Sequence, residues 1–388
     1  MKKYVFKNAT LYSSKGFIKD PVIEIKEGLI ANFYPMEKLR EKQMIEDYVF
    51  TEPVRIVPGF IDLHIHGAAN GDVMDGTEEA LVTIKNALPS EGTTAFLATT
   101  ITQSQNAKLE ALKQVKEVMT SKNREGAEIL GVHLEGPFIS EKRAGAQPKE
   151  FISEPDVDLF NKFQETAGGA IKLITMAPEE KGGMELLREL SRTGVVPSIG
   201  HSDAYYNLVK EAMDLGVCHA THLFNGMRGV HHRDLGVAGA VLLHDEIIGE
   251  IICDGIHVSP PMVKLVYKNK GADGIILITD SMRAKGFEEG TYELGGQDVF
   301  VKNNQATLED GTLAGSILKM NEAVRNMISF SGCTFEEAIQ MASANPAKQI
   351  GVYDRKGSIE IGKDADFVVL NEKLEVKQTF VLGTKVYG

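Results

Sequence analysis

The sequence predicts an α/β protein, a TIM-like (β/α)8 barrel with a small β-sandwich domain formed by the N- and C-terminal segments. Three observations predict it. The middle of the 388-residue chain alternates apolar strand-like runs with helical segments about eight times. Both ends read as short strands divided by turns. Ionisable residues close several of the apolar runs at their carboxyl ends, where a barrel gathers its loops into one mouth. The small domain is expected over 1–55 plus 352–388, and the barrel over 56–351.

In chain order, 4–6, 9–12 and 21–25 are β-like and separated by Gly16, Asp20 and Gly28. Barrel strands are expected to end near His66, Thr100, Glu135, Ala177, His201, His222, Asp254 and Asp280. Helices are expected over 77–89, 105–120, 157–166, 184–193, 204–215 and 261–269. An open, doubly wound sheet fits the same alternation and stays as the structural alternative. Residues 225–245 read as a long functional loop and 287–311 as inserted β-hairpins, before helices resume at 319–329 and 334–343. The runs 367–370 and 376–382 are again strand-like, with a turn at Gly383. Chain ends commonly lie close together, which joins the two β-rich ends in one unit.

A formal net charge of −12 argues against nucleic acid or an anionic membrane as a partner. An anionic small substrate then needs a local basic patch. Cys218, Cys253 and Cys333 are widely spaced and form no CxxC pair, which points to buried, reduced thiols. Lys7, Asn8 and Thr10 interrupt the stretch after Lys2 and Lys3, so no signal peptide is expected. No apolar run approaches about 18 residues, so no membrane span is expected. The expected location is cytoplasmic, with the Asn8-Ala9-Thr10 sequon idle.

The chemistry begins at His64-Ile65-His66, which closes a strand-like run from Phe60. Side chains two apart on a strand share a face, so both imidazoles project together with Asp62 behind them. Alone, such a pair is more often structural than metal-binding. Its company matters: Glu135, His201, His222 and Asp280 each end another apolar run. One histidine or aspartate at a strand end is usually a structural hydrogen-bonder; a whole set at one mouth has no such simple account. Imidazole and carboxylate donors suit zinc or iron rather than a calcium cage. Glu135 between the pairs His64/His66 and His201/His222 is placed to bridge two metals, which leaves Asp280 as general base and then acid.

These segments resemble the amidohydrolase superfamily. The likeness rests on Pro58 to Gly67, His133-Leu134-Glu135-Gly136-Pro137-Phe138, Gly200-His201-Ser202 and Thr221-His222-Leu223-Phe224-Asn225-Gly226-Met227. Asp254-Gly255-Ile256-His257, Thr279-Asp280-Ser281, Leu313-Ala314-Gly315-Ser316 and the tail from Gly357 to Asp366 extend it over nearly the whole chain. Within the superfamily the segments are similar to deacetylases of 6-phosphorylated N-acetyl amino sugars. That resemblance implies release of acetate and glucosamine 6-phosphate from the acetamide. It implies that Glu135, His201 and His222 hold the main divalent metal, and that His64 and His66 hold a second. Zn2+ or Fe2+ is expected. The carboxylated lysine frequent in the superfamily has no counterpart, since Lys172 comes early on its strand and Glu135 takes the bridging place.

The resemblance also implies substrate contacts. Asn225 and Gly226 match positions that touch substrate through amide groups. Arg233 matches a phosphate-binding arginine, and a guanidinium suits phosphate oxygens. His257 matches a sugar-binding histidine placed to polarise the amide carbonyl. Ala146 and the turn Leu313, Ala314, Gly315 are expected to line the pocket. Cys218, Cys253 and His219 are assigned to structure. A homodimer is expected, with Arg233 acting within or across subunits. Alternatives are another amidohydrolase (a deacetylase of the galacto epimer or a cyclic amidase) and a catalytically silent scaffold, which would lack the metal ligands this chain retains.

Overall fold

The structure, a computed structural model, describes residues 2–13, 16–40, 45–121 and 123–388. Eight parallel strands form the barrel: Phe60–Ile65, Thr93–Thr100, Glu128–Glu135, Ile171–Met176, Val196–Ile199, His219–Ala220, Ile248–Ile252 and Ile275–Ile278. Each pairs with its chain neighbour, and the strand order never reverses. A doubly wound sheet requires that reversal, so the alternation resolves as a barrel. The first and eighth strands close the ring just beyond their carboxyl ends. There Asp280 N–H donates to His64 O at 2.8 Å, and Ile65 bridges Ser281 in parallel.

Asp62 stitches that seam from inside. Its buried carboxylate accepts from Thr279 Oγ1 at 2.5 Å and from His64 N–H at 3.2 Å. Burial pushes its carboxyl up to about 6, despite the lowering effect of Lys285 and Thr279. The barrel strands are almost wholly buried and mostly apolar, as sheets covered on both faces demand.

The helices follow from caps and apolar stripes. Thr77, Ser104 and Asp156 each accept a backbone N–H at the start of Glu78–Ala87, Gln105–Thr120 and Val157–Thr166. Thr334 and Glu337 form a capping box on Phe335–Ala342. Further helices run over Gly183–Leu190, Tyr206–Asp214, Pro260–Lys270 and Met320–Ser331. The expected loop at 225–245 is corrected in its second half, where Gly236–Leu243 is a helix. That segment is apolar on every side and almost wholly buried, so it lacks the period-3.6 contrast that marks a surface helix. A short helix, Ala344–Gln349, also escapes the pattern. Residues 287–311 hold a three-stranded antiparallel meander, Gly290–Leu294, Gln297–Lys302 and Gln305–Thr307. Among the described residues no helix is long and apolar enough to cross a membrane.

The chain ends form a separate eight-stranded sheet from five N-terminal strands within 2–58 and three C-terminal ones, Phe367–Asn371, Val376–Val381 and Thr384–Tyr387. Lys2–Ser13 and Val376–Val381 lie three places apart in it. That is about 14 Å in a flat sheet, yet the Phe6 and Phe380 rings are 5.9 Å apart. The sheet therefore curls over its own core, and the turn at Gly28 meets the lead-in to Phe367–Asn371 where Ala365 N–H donates to Gly28 O at 2.8 Å. Phe6, Phe367 and Phe380 are fully buried there, each contributing about 1.5–3 kcal/mol. Gly59 leads from this sheet into the first barrel strand. A Cβ on Gly59 would stand 2.1 Å from Thr94 Oγ1, so only glycine fits.

Candidate active site

The strand ends bring the ionisable residues to one mouth. His64 lies in the first strand, His66 follows its end, and Glu135 is the last residue of the third. His201, His222 and Asp280 each come two residues after the fifth, sixth and eighth strands. All three adopt left-handed backbone, with φ of 46°, 30° and 49°. Such conformations cost about 1–3 kcal/mol each in non-glycine residues and persist only where the surroundings enforce them. Here they turn three side chains off the strand direction and into the mouth.

Glu135 is the hub. Its Oε1 lies 3.2 Å from His201 Nε2, 3.3 Å from His222 Nε2 and 3.5 Å from His64 Nε2. Its Oε2 lies 3.3 Å from His66 Nε2. Asp280 Oδ1 faces His64 and His66 at 3.4 and 3.3 Å. His201 and His222 stand 3.1 Å apart through their Nε2 atoms. The Glu135–His201–His222 triangle thus has sides of 3.1 to 3.3 Å. Ligands about 2.0–2.1 Å from a tetrahedral zinc stand about 3.3 Å apart, so the donor set has the size of one zinc face. His64, His66 and Asp280 make a second group whose donor atoms also converge. His64 Nε2 is buried with no hydrogen bond among the described residues, an orphaned ligand atom aimed into the cluster. The residues fit a divalent ion at the first group, and a second ion sharing Glu135.

The electrostatics agree. Burial would raise the Glu135 carboxyl, but His64, His201 and His222 outweigh it and hold the group well below the usual range. Asp280 is pulled down against burial by His64 and His66. Burial would lower His64 and His66, but Asp280 and Glu135 raise both, His66 to about 9. Carboxylates that favour an imidazolium favour any other cation at the same point. Metal ligation needs neutral imidazole, so metal and proton compete here.

The cluster opens into a cavity of about 230 Å³. Ala146, Asn225, Gly226, His257, Leu313 and Gly315 line it, with His66, Glu135, His201, His222 and Asp280 at its floor. Gly226 sits at φ 56°, and a Cβ there would stand 2.9 Å from His201 Nδ1. His257 Nδ1 pairs with Asp254 Oδ2 at 2.7 Å. Two expected contacts lie elsewhere. Ala314 is fully buried in the small apolar cluster with Met282 and Val301, because its side chain faces away from the cavity. Arg233 is exposed on the loop after His222, pairs with His232 Nε2 at 2.8 Å and is not part of the lining. A larger cleft of about 380 Å³ near Lys85, Arg355 and Leu382 gathers no imidazoles, so chemistry favours the smaller one.

Three residues around the cluster carried no motif. Gln147 donates to Glu135 Oε2 at 2.8 Å and accepts Thr102 N–H at 2.8 Å. Lys108 is fully buried, and its Nζ donates to Glu135 O and Gly136 O, both at 2.9 Å. Glu250 sits buried behind His64. Only Glu250 leaves a sequence signal: a charge inside the apolar strand Ile248–Ile252 demands a partner.

Comparison with known proteins matches residues 55–386 to the amidohydrolase family. The chain is 46% identical over 381 residues to an N-acetylglucosamine-6-phosphate deacetylase of Bacillus subtilis (strain 168), covering 98% of this chain and 96% of the relative. A crystal structure of N-acetylglucosamine-6-phosphate deacetylase from Pasteurella multocida superposes with a TM-score of 0.92 at 30% identity, covering 100% of both chains. One from Thermotoga maritima gives 0.87 at 36% identity, covering 99% of each.

Proposed function

The chain belongs to the amidohydrolase family, and on that premise we propose that it hydrolyses N-acetyl-D-glucosamine 6-phosphate to D-glucosamine 6-phosphate and acetate. The reaction belongs to amino-sugar catabolism and recycling. The observation that carries this reading is Glu135, one buried carboxylate met by four imidazoles beside a cavity walled by His257 and Asn225. The names of the relatives at full-length coverage support the substrate class.

Glu135, His201 and His222 hold one divalent ion in this reading. His64, His66 and Asp280, with Glu135 shared, flank a second. Zn2+ and Fe2+ suit these donors. When bound, the metal supplies an acidified water and polarises the amide carbonyl. Asp280 stays ionised beside His66 and accepts a proton from the attacking water. It returns that proton to the amine nitrogen as the C–N bond breaks. Asp254 steadies the His257 ring through Nδ1, which leaves Nε2 for the substrate. Asn225 and Gly226 present amide groups to the sugar.

Among the described residues the cavity lining contains no lysine or arginine, so a phosphate needs a counter-charge from beyond it. Arg233 is the guanidinium we assign, from this chain or from the second copy in a homodimer. The test compares acetate release from N-acetylglucosamine 6-phosphate, its galacto epimer and the unphosphorylated sugar. Fast release from the first alone supports the reading. Faster release from the galacto epimer moves the epimer assignment, and inertness toward all three overturns the activity.

A further inference from the structure

Glu250 is completely buried in the seventh barrel strand. An unpaired carboxylate there would cost several kcal/mol. Its Oε2 lies 3.1 Å from His64 Nδ1 and accepts His222 N–H at 3.1 Å. Its Oε1 lies 2.9 Å from His219 Nε2. His219 is itself buried, its Nδ1 has no partner among the described residues, and its Nε2 is the nitrogen that donates to Glu250. The sixth strand neighbours the seventh, but the first stands beyond the eighth. Glu250 therefore reaches past the eighth strand to hold a histidine of the first.

The consequence is a choice of tautomer. An ionised carboxylate only accepts hydrogen bonds, so in the neutral ring that a metal requires, His64 Nδ1 carries the hydrogen and Nε2 presents the lone pair. That lone pair faces Asp280 Oδ1 at 3.4 Å and Glu135 Oε1 at 3.5 Å. Three acceptors meeting at one point call for a cation. Without Glu250, His64 is free to move its hydrogen to Nε2, toward Asp280, and close the site. His66 Nδ1 makes no hydrogen bond among the described residues, and the buried Asp72 carboxylate acts on His66 only through its charge. Of the pair, His64 is the ring whose orientation a carboxylate fixes by a hydrogen bond. The Glu135–His201–His222 triangle meets Glu250 only through the His222 backbone.

We propose that Glu250, braced by His219, is a positioning residue that holds His64 ready as a ligand and so determines whether the His64–His66–Asp280 site takes an ion. The inference rests on the metal reading given above.

The test titrates metal-free protein with Zn2+ by calorimetry and counts bound ions by elemental analysis. The wild-type chain is expected to bind two. Glu250→Leu should keep the ion at Glu135, His201 and His222 with little change and lose the other. Glu250→Gln keeps a carbonyl for His64 if His219 moves its hydrogen to Nδ1, and should recover the second ion with about 10- to 100-fold weaker affinity. Should Glu250→Leu fail to fold, Glu250→Gln decides through the ratio of its two affinities. Wild-type affinity at both sites in either variant, equal weakening of both sites, or a single ion in the wild type overturns the inference. A wild-type chain that binds no ion overturns the metal reading itself.

Discussion

His201 and His222 face each other through their Nε2 atoms at 3.1 Å. His201 Nδ1 lies 2.8 Å from Arg143 O, a carbonyl that can only accept, so this ring donates from Nδ1 and turns a bare lone pair toward His222. With Glu135 Oε1 completing the triangle, a shared cation would satisfy all three. His201→Ala or His222→Ala should each lose the ion held with Glu135. Elemental analysis reads the loss, and a chelator should lower the Tm of these variants by less than it lowers the wild-type Tm, since they have one ion fewer to lose.

Asp280 is placed against both His64 and His66. Asp280→Asn keeps the shape but cannot accept and return a proton. Turnover should fall by about 10²–10⁴-fold, with substrate affinity largely kept. Near-normal kcat would remove Asp280 from the proton-transfer role.

Arg233 stands outside the cavity lining on an exposed loop. If it meets the 6-phosphate, Arg233→Ala should raise KM for the phosphorylated sugar by about 10-fold or more, the worth of a charge-assisted pair. The unphosphorylated sugar should be unaffected. Equal effects on both substrates would assign Arg233 to folding or assembly instead.

A pH effect on stability follows from Glu128, which begins the third barrel strand and pairs with Arg355 at 2.6 Å and Lys356 at 2.7 Å. Burial would raise its carboxyl, but Arg355 and Lys356 outweigh burial and pull it down from 4.5 to about 2. A depressed carboxylate stabilises the fold fully above its unfolded pKa and loses that contribution as pH falls through the folded one. Wild type should therefore melt above Glu128→Gln at neutral pH. The gap in Tm should close between pH 4.5 and about 2. A gap that widens on acidification contradicts the pairing.

Much of the site is legible in the sequence because barrel strands announce themselves. An apolar run that stops at His66, Glu135, His201, His222 or Asp280 marks a strand end, and strand ends share a mouth. The left-handed backbone of His201, His222 and Asp280 is not legible, since no glycine or asparagine stands there to signal it. The helix Gly236–Leu243 hides because a segment apolar on all sides has no period. Lys108 reads as an ordinary polar residue of an amphipathic helix, yet its ammonium ends beneath Glu135. Its role depends on partners 27 and 28 residues away, and no local pattern reports those. The curl of the terminal sheet is likewise hidden until Phe6 and Phe380 are seen in contact.

The most direct test of the metal centre is a crystal grown with Zn2+ and measured at the zinc absorption edge. An anomalous peak within about 2.0–2.2 Å of Glu135, His201 and His222 is the expected result. Well-ordered imidazoles around Glu135 with no anomalous density between them, in a crystal saturated with the metal, would contradict it.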